Sequence, residues 1–391
     1  MTVHVLGGYQ TDFAARAAGL YELVAESVQG ALEASAVAPE DVGVAHVGNL
    51  AGELFAGQAQ LGGFVNTVHP AFADLPTARH EAACASGSVA LLAAMADLEL
   101  GRYDVALVVG VELMRNVGGA VAAEHLGSAA WVGREATEAK FPWPHLFSRI
   151  ADAYAERWSL DHAHLARIAE LNLGNARRNP LAQARDWTFP PGAFGADDAL
   201  NPVVDGRLRK QDCGRITDGG TAVLLANDAY LQRTGARSKA RITGWGHRGA
   251  PMLLSDKLAL AGEYLFPHLR RAVTEAYGRA GIGGPADLDV IELHDCFTIT
   301  EYVALEHLGL APPGEAWRAV EDGLIDGVVN PSGGLIGAGH PVGATGVRML
   351  LDAYRQVTGG AGEYQVDGAR RAATLNVGGS FTTAVVFVVE A

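Results

Sequence analysis

Lysine is nearly missing from this chain. Only Lys140, Lys210, Lys239 and Lys257 occur in 391 residues, so almost all positive charge is arginine, and the net charge is −14. That balance excludes non-specific binding to nucleic acid or to an acidic membrane surface, whose contacts need a basic face. It leaves room for a local basic pocket that takes a phosphate-bearing ligand. Cysteine is also scarce. Cys84, Cys213 and Cys296 are odd in number and widely spaced, which argues against a disulfide framework and fits a reducing compartment. No zinc-like spacing is present, so no metal site is expected. Long apolar runs are lacking too. The strongest, Val105 to Val111, is too short to span a bilayer. Met1 to Phe13 has no basic region followed by a long apolar run, hence no signal peptide. The expectation is a soluble cytoplasmic protein without membrane insertion.

What is present suits a large packed core: 49% hydrophobic and 19% charged residues over a length that favours two to three domains. Buried strands alternate with helices. Val3–Gly8 and Val42–Val47 read as strands around a helix at Tyr21–Ala36. A helix is expected at Leu54–Val65, a short strand at Thr77–Ala82, and a strong strand at Tyr103–Glu112. From about residue 115 to 209 the alternation stops and Gly, Trp, Pro and His become frequent. Helices are expected there at Arg149–Trp158 and His164–Arg178. The pattern returns with a strand at Thr221–Ala226.

The second half repeats the first. Ala240–Gly246 matches Val3–Gly8, the helix Tyr264–Gly281 matches Tyr21–Ala36, and Asp287–His294 matches Asp41–Gly48. Ala373–Ser380 matches Val105–Glu112, and Thr383–Val388 matches Thr221–Ala226. This is a duplicated domain, not a solenoid. It predicts an α/β protein of mixed, mostly parallel sheets covered on both faces. The expected units are 1–114 with 210–236, an insertion at 115–209, and 237–391. When Gly343 is set on Gly87, His340 falls on Cys84, so the repeat brings two distant residues into contact across a pseudo-twofold axis.

Four stretches carry chemistry. In His80-Glu81-Ala82-Ala83-Cys84-Ala85-Ser86-Gly87, the cysteine precedes a run of strong helix formers from Val89 to Leu100. A lone cysteine is ordinarily buried and structural. Here a helix N-terminus would favour the thiolate, and small neighbours would let a substrate approach. Cys84 is therefore expected to be the most reactive thiol. The second stretch, Asn330 to Gly346, is glycine-rich and holds His340, a candidate base for Cys84. It lacks the Lys-Ser/Thr ending of a phosphate loop. The third, His294-Asp295-Cys296-Phe297, follows a strand, where open α/β sheets place ligands. His294 can donate to an oxyanion and Cys296 can shuttle a proton. The fourth, Leu375-Asn376-Val377-Gly378-Gly379-Ser380, ends a strand in a glycine turn whose N–H groups suit an oxyanion hole. Gly214 and Arg215 lie in a turn that lines a substrate tunnel or simply reverses the chain.

Ala83-Cys84-Ala85-Ser86-Gly87, His294-Asp295-Cys296-Phe297, Gly339-His340-Pro341 and Asn376-Val377-Gly378-Gly379 together resemble the thiolases, collinearly over nearly the whole chain. The His-Asp-Cys-Phe form resembles the sterol-carrier-protein-type branch and related acetyl-CoA acetyltransferases. The resemblance implies a thiolase fold: duplicated five-stranded α/β halves in an αβαβα sandwich, with 115–209 as the loop domain. It implies that Cys84 is acylated, that His340 activates it, and that His294 and His340 hold a thioester enolate. It also implies that the N–H groups of Cys84 and Gly378 hold the acyl carbonyl. Asn376 stands where most thiolases place a second catalytic cysteine, and in this branch Cys296 takes over that acid/base task.

The expected activity is that of an acyl-CoA C-acyltransferase, either thiolysis of a 3-ketoacyl-CoA or Claisen condensation. Coenzyme A is a co-substrate and no cofactor is tightly bound. Trp143, Gly214, Arg215 and Asn376 are expected to contact substrate, and Arg134, His145 and Arg149 of the insertion to meet the CoA portion. A homodimer or tetramer is implied. One rival is a thiolase-fold acyltransferase or carbon–carbon lyase acting with a small zinc-ribbon/OB-fold partner protein. Another is a non-catalytic acyl-CoA-binding scaffold, which would need none of Cys84, His294, Cys296 and His340.

Overall fold

A computed structural model describes residues 2–391. Its strands are β1 (Val3–Gln10), β2 (Val44–Gly48), β3 (Thr77–His80), β4 (Val105–Glu112), β5 (Val203–Asp205), β6 (Leu208–Arg209), β7 (Gly219–Asn227), β8 (Ala240–Gly249), β9 (Val290–Leu293), β10 (Arg371–Gly378) and β11 (Thr383–Glu390). β5 and β6 form a separate hairpin, and the other nine hydrogen-bond in the order β3-β2-β4-β7-β1-β8-β11-β10-β9. β4 and β7 are buried along their whole length, as continuous apolar strands covered on both faces must be.

The duplication is visible in this order. From the centre outward, β1-β7-β4-β2 in one half mirrors β8-β11-β10-β9 in the other. β4 runs antiparallel to β7 and parallel to β2, just as β10 runs antiparallel to β11 and parallel to β9. The halves meet where β1 and β8 pair antiparallel over Val3–Ile242, His4–Arg241 and Val5–Ala240. One strand of the expected five is reduced in the second half: the counterpart of β3 is a single parallel bridge between Ile291 and Val329. Pro331, Gly333 and Gly334 follow at once and cannot extend a ladder.

The helices Ser86–Glu99 and Val342–Thr358 lie between the two halves of the sheet, their Ala90, Leu91, Val347 and Leu350 packed against Val5, Val223 and Phe387. The helix Leu20–Ser35 covers the outer face of the first half, and Pro267–Ala280 and Thr298–Leu308 cover that of the second. The result is five layers. Each fully buried Leu or Val contributes about 1.5–3 kcal/mol relative to exposure. No helix among the described residues is long and apolar enough to cross a membrane.

Some elements differ from the sequence reading. The expected helix Leu54–Val65 is two short ones, Gly52–Ala56 and Gly62–Val68, because Gly57 closes the first with a left-handed φ of 65°. In the insertion, the first long helix begins earlier, at Pro142, and ends at Arg157. Pro142 and Pro144 sit in its first turn, where missing N–H groups cost nothing. The second spans His162–Ala176, started by the Asp161 carboxylate, which accepts from the Ala163 N–H at 2.9 Å.

Candidate active site

A cavity of about 400 Å³ opens beside Cys84, His340, Cys296 and Gly379, walled by the largely apolar side chains Phe147, Phe297, Trp143 and Ile216. Cys84 reaches it from a sharp turn between β3 and the Ser86–Glu99 helix. Ala83 there has φ 52°, a left-handed conformation costing of order 1–3 kcal/mol for a residue with a Cβ. Ser86 holds the turn: its hydroxyl accepts from the Ala82 N–H at 3.0 Å and donates to the Ala83 carbonyl at 2.6 Å. The helix can sit this close to its counterpart because a Cβ on Gly87 would lie 2.7 Å from the Gly343 carbonyl oxygen. The two helix N-termini therefore touch, as the repeat predicted.

The electrostatics of Cys84 correct the sequence expectation. Burial pushes its thiol up to about 12, against the Gly379 N–H that points at the sulfur, and the nearby Glu112 adds to the rise. The helix starts two residues later, at Ser86, so its N-terminus does not outweigh desolvation. Cys213 is likewise pushed up to about 12 by burial, and Cys296 well above its ordinary value. Cys84 rests as a thiol. Glu112 is itself buried and accepts from the Asn49 side-chain amide at 2.8 Å and the N–H groups of Leu50, Ala51 and Gly343 at 2.9, 3.1 and 3.1 Å. It thereby ties the loop beside Cys84 to the first turn of the Val342–Thr358 helix. Burial pushes its carboxyl up to about 7.

His340 stands just before that helix. Its N–H donates to the Thr217 hydroxyl at 2.9 Å. Its Nδ1 lies 2.7 Å from the Thr345 hydroxyl, which donates its own proton to the Pro341 carbonyl at 3.0 Å. With the hydroxyl proton on that carbonyl, the Thr345 oxygen accepts from the imidazole, Nδ1 carries the ring proton and Nε2 is bare. Nε2 is buried and has no partner. Burial, helped by the Arg348 charge, lowers His340 to about 3 and keeps it neutral.

His294 follows β9, and its ring meets that of His340 edge-on, with centroids 5.1 Å apart and planes at 89°. Burial first, then the neighbouring His340 imidazole and the Arg348 charge, lower it well below the usual histidine range. Cys84 Sγ and one ring nitrogen of each histidine all lie within 4.8 Å of one another. Cys296 is buried at the same wall, its sulfur 3.6 Å from the Thr300 hydroxyl. Phe297 stacks on Phe147 of the insertion at 4.5 Å.

Asp295 accepts from the Leu335 N–H, from that of Ile336 at 3.2 Å and from the Asn172 amide at 2.9 Å. It thus fixes the short helix Gly334–Ala338 that leads into His340. Behind it, the fully buried Arg348 donates to Glu292, Ser332 and Asp352 at 3.2, 2.9 and 2.9 Å.

The other sequence candidates divide. Trp143 lines the cavity, its indole N–H donating to the Leu126 carbonyl at 2.9 Å. Gly214 also lines it, and its N–H donates to the Cys296 carbonyl at 2.8 Å. Arg215 reaches the rim, but its guanidinium donates to the carbonyls of Lys210 and Cys213 at 2.7 and 2.5 Å and to Gln211 at 3.0 Å. At the end of β10, the Gly379 N–H is aimed at the Cys84 sulfur. Gly378 allows close approach, since a Cβ there would lie 2.1 Å from the Ala82 carbonyl oxygen. Asn376 is buried beside His294 at 2.9 Å. Of the insertion residues proposed for CoA, Arg134 stacks on Trp131 at 4.5 Å, His145 pairs with Asp205 at 3.3 Å, and Arg149 is exposed. Thr345 and Ser88 were not singled out from the sequence. Thr345 lies in the glycine-rich stretch, five residues after His340.

Two family models match the chain: the thiolase N-terminal domain over residues 3–186 and the thiolase C-terminal domain-like model over residues 255–391. An acetyl-CoA acetyltransferase of Methanothermobacter thermautotrophicus is 32% identical over 99% of this chain and 98% of its own length. Bovine sterol carrier protein 2 is 30% identical over 75% of this chain and 55% of its own. Among solved structures, an Ltp2–ChsH2(DUF35) aldolase superposes with a TM-score of 0.80 at 18% identity, over 100% of this chain and 98% of the other.

Proposed function

Since the chain belongs to the thiolase family, we propose that it is an acyl-CoA C-acyltransferase working through an acyl-Cys84 intermediate. The observation that carries this reading is the neutral Cys84–His340 pair with a bare, buried Nε2 at an apolar cavity. As the sulfur attacks a thioester or ketone carbonyl, His340 Nε2 takes its proton, and Thr345 continues to accept from Nδ1. The departing group is coenzyme A or, in the thiolytic direction, the enolate of a shorter acyl-CoA. The protonated Nε2 then donates to the enolate oxygen beside His294. The N–H groups of Cys84 and Gly378 receive the acyl carbonyl oxygen. Cys296 supplies the second acid/base group, because Asn376 has no titratable proton. Trp143, Gly214 and Phe297 bound the acyl pocket. Acyl-CoA and CoA are the substrates, and a homodimer or tetramer is the working form.

A second reading is favoured by the TM-score of 0.80 to the aldolase complex: cleavage of a carbon–carbon bond with a small zinc-ribbon/OB-fold partner. Cys84 distinguishes them, because a retro-aldol step needs no acyl-enzyme. Intact-mass analysis after mixing with a panel of acyl-CoAs is the test. An acyl adduct on wild type that is absent from Cys84→Ala supports acyl transfer. No adduct with any acyl-CoA overturns it.

A further inference from the structure

Asn376 does more at this site than fill the place of a proton-moving group. Its side-chain Nδ2 lies 2.9 Å from His294 Nδ1. An amide nitrogen can only donate, so Nδ1 must accept and the ring proton must sit on Nε2. The amide is held in that orientation from its other end: the Ser88 hydroxyl donates to Asn376 Oδ1 at 2.8 Å. Ser88 stands in the first turn of the helix that follows Cys84. All three residues are buried, at 1% relative exposure each, so water does not compete for these bonds. Room for the contact comes from the other central helix. A Cβ on Gly346 would lie 2.2 Å from the Ser88 hydroxyl and 2.9 Å from Asn376 Oδ1.

We propose that Asn376, oriented by Ser88, is a positioning residue that locks His294 as an Nε2–H donor. This rests on the acyl-transfer reading above. The lock sorts the two histidines by role. Thr345 keeps the His340 proton on Nδ1, so Nε2 is a base. Asn376 keeps the His294 proton on Nε2, so that nitrogen is a donor to a developing oxyanion and not a base. The lock has a second consequence. A thiolate and two imidazole nitrogens within 4.8 Å of one another are a soft-metal ligand set, but only bare nitrogens coordinate. With Nε2 of His294 protonated, the set falls to two ligands, and the nucleophile is shielded from zinc.

Asn376→Asp inverts the lock, since a carboxylate accepts from Nδ1–H and strips Nε2. The first readout is the tautomer of His294, from ¹⁵N shifts of histidine-labelled enzyme, which owes nothing to turnover. Wild type should show protonated Nε2 and Asn376→Asp protonated Nδ1. Asn376→Leu and Ser88→Ala should give mixtures, and these carry the test if the aspartate variant does not fold. The second readout is kinetic. Acyl-adduct formation should persist in all variants, while the carbon–carbon step in Asn376→Asp falls roughly 10²–10³-fold, as for a lost oxyanion donor. The third is inhibition by zinc chloride, which should strengthen at least tenfold in Asn376→Asp. A wild-type His294 protonated on Nδ1, or a tautomer unmoved by all three variants, overturns the proposal. Absence of any acyl adduct in wild type would instead sink the acyl-transfer reading and leave the tautomer result standing.

Discussion

Thr345 accepts the His340 Nδ1 proton at 2.7 Å while giving its own to the Pro341 carbonyl at 3.0 Å, and this small relay decides which face of the imidazole is basic. Thr345→Val removes the acceptor and keeps the shape. Acylation of Cys84 should slow by about 100-fold, the low end for a lost general base. Thr345→Ser should restore most of it. Stopped-flow acylation of both variants is the measurement, and equal losses in the two would mean that the methyl group, not the hydroxyl, matters.

The resting pair is neutral, with Cys84 pushed up to about 12 and His340 lowered to about 3. Protonating His340 would remove the base, so acylation should fail only as pH drops towards 3. Ionising Cys84 would require pH near 12. The acylation rate should therefore be flat from about pH 5 to about pH 9, without the inflection of an ordinary histidine or thiol. Rapid-quench acylation across that range checks it. A limb near pH 6–7 that persists in Glu112→Gln would reveal a thiolate–imidazolium pair, because the Glu112 carboxyl beside Cys84 is itself pushed up to about 7.

Cys84, Cys213 and Cys296 all line the cavity, the first two half-buried and the third buried, but only Cys84 has the ring nitrogens of His340 and His294 beside it. Iodoacetamide at neutral pH should label Cys84 first, though slowly for a nucleophile because it is a thiol at rest. Peptide mapping reads the order, and prior labelling of Cys213 or Cys296 would contradict the assignment.

Cys296→Ser should retain the fold and still permit acylation of Cys84. The carbon–carbon step should fall by roughly 10²–10⁴-fold, the range for a lost general acid/base. Single-turnover acylation beside steady-state thiolysis separates the two. Near wild-type thiolysis would reduce Cys296 to packing against Thr300.

Arg348 is fully buried against Glu292 and Asp352. Arg348→Met leaves those carboxylates without their cation and should cost about 3–5 kcal/mol of stability. Urea unfolding monitored by tryptophan fluorescence gives the value, and a loss under about 1 kcal/mol would mean that the carboxylates are neutral in the fold.

The repeat was legible because its signal is periodic. Buried strands and the glycines of two helix starts set His340 opposite Cys84 in the amino-acid sequence itself. The first insertion helix starts seven residues before its expected Arg149, with Pro142 and Pro144 in a first turn that tolerates them, whereas the second lies within two residues of its expected ends. The thiol's ionisation was misjudged because helix position is local and readable, whereas burial between the two halves of the sheet is not. Thr345, Ser88 and Asn376 matter through which atom donates to which, and that appears only when side chains from separate elements are brought to 3 Å.

The mirrored strand order carries one more implication. Positions 84 and 340 are equivalent in the two halves, and Gly87 and Gly343 press the equivalent helices together. Had the halves stayed identical, each would present its own copy of one residue at the axis: two thiols or two imidazoles, and in either case no acid–base partner. The reactive pair requires that the two halves differ at that position. Each half is accordingly an incomplete enzyme, and residues 2–236 and 237–391 expressed as separate chains should regain acylation only when mixed.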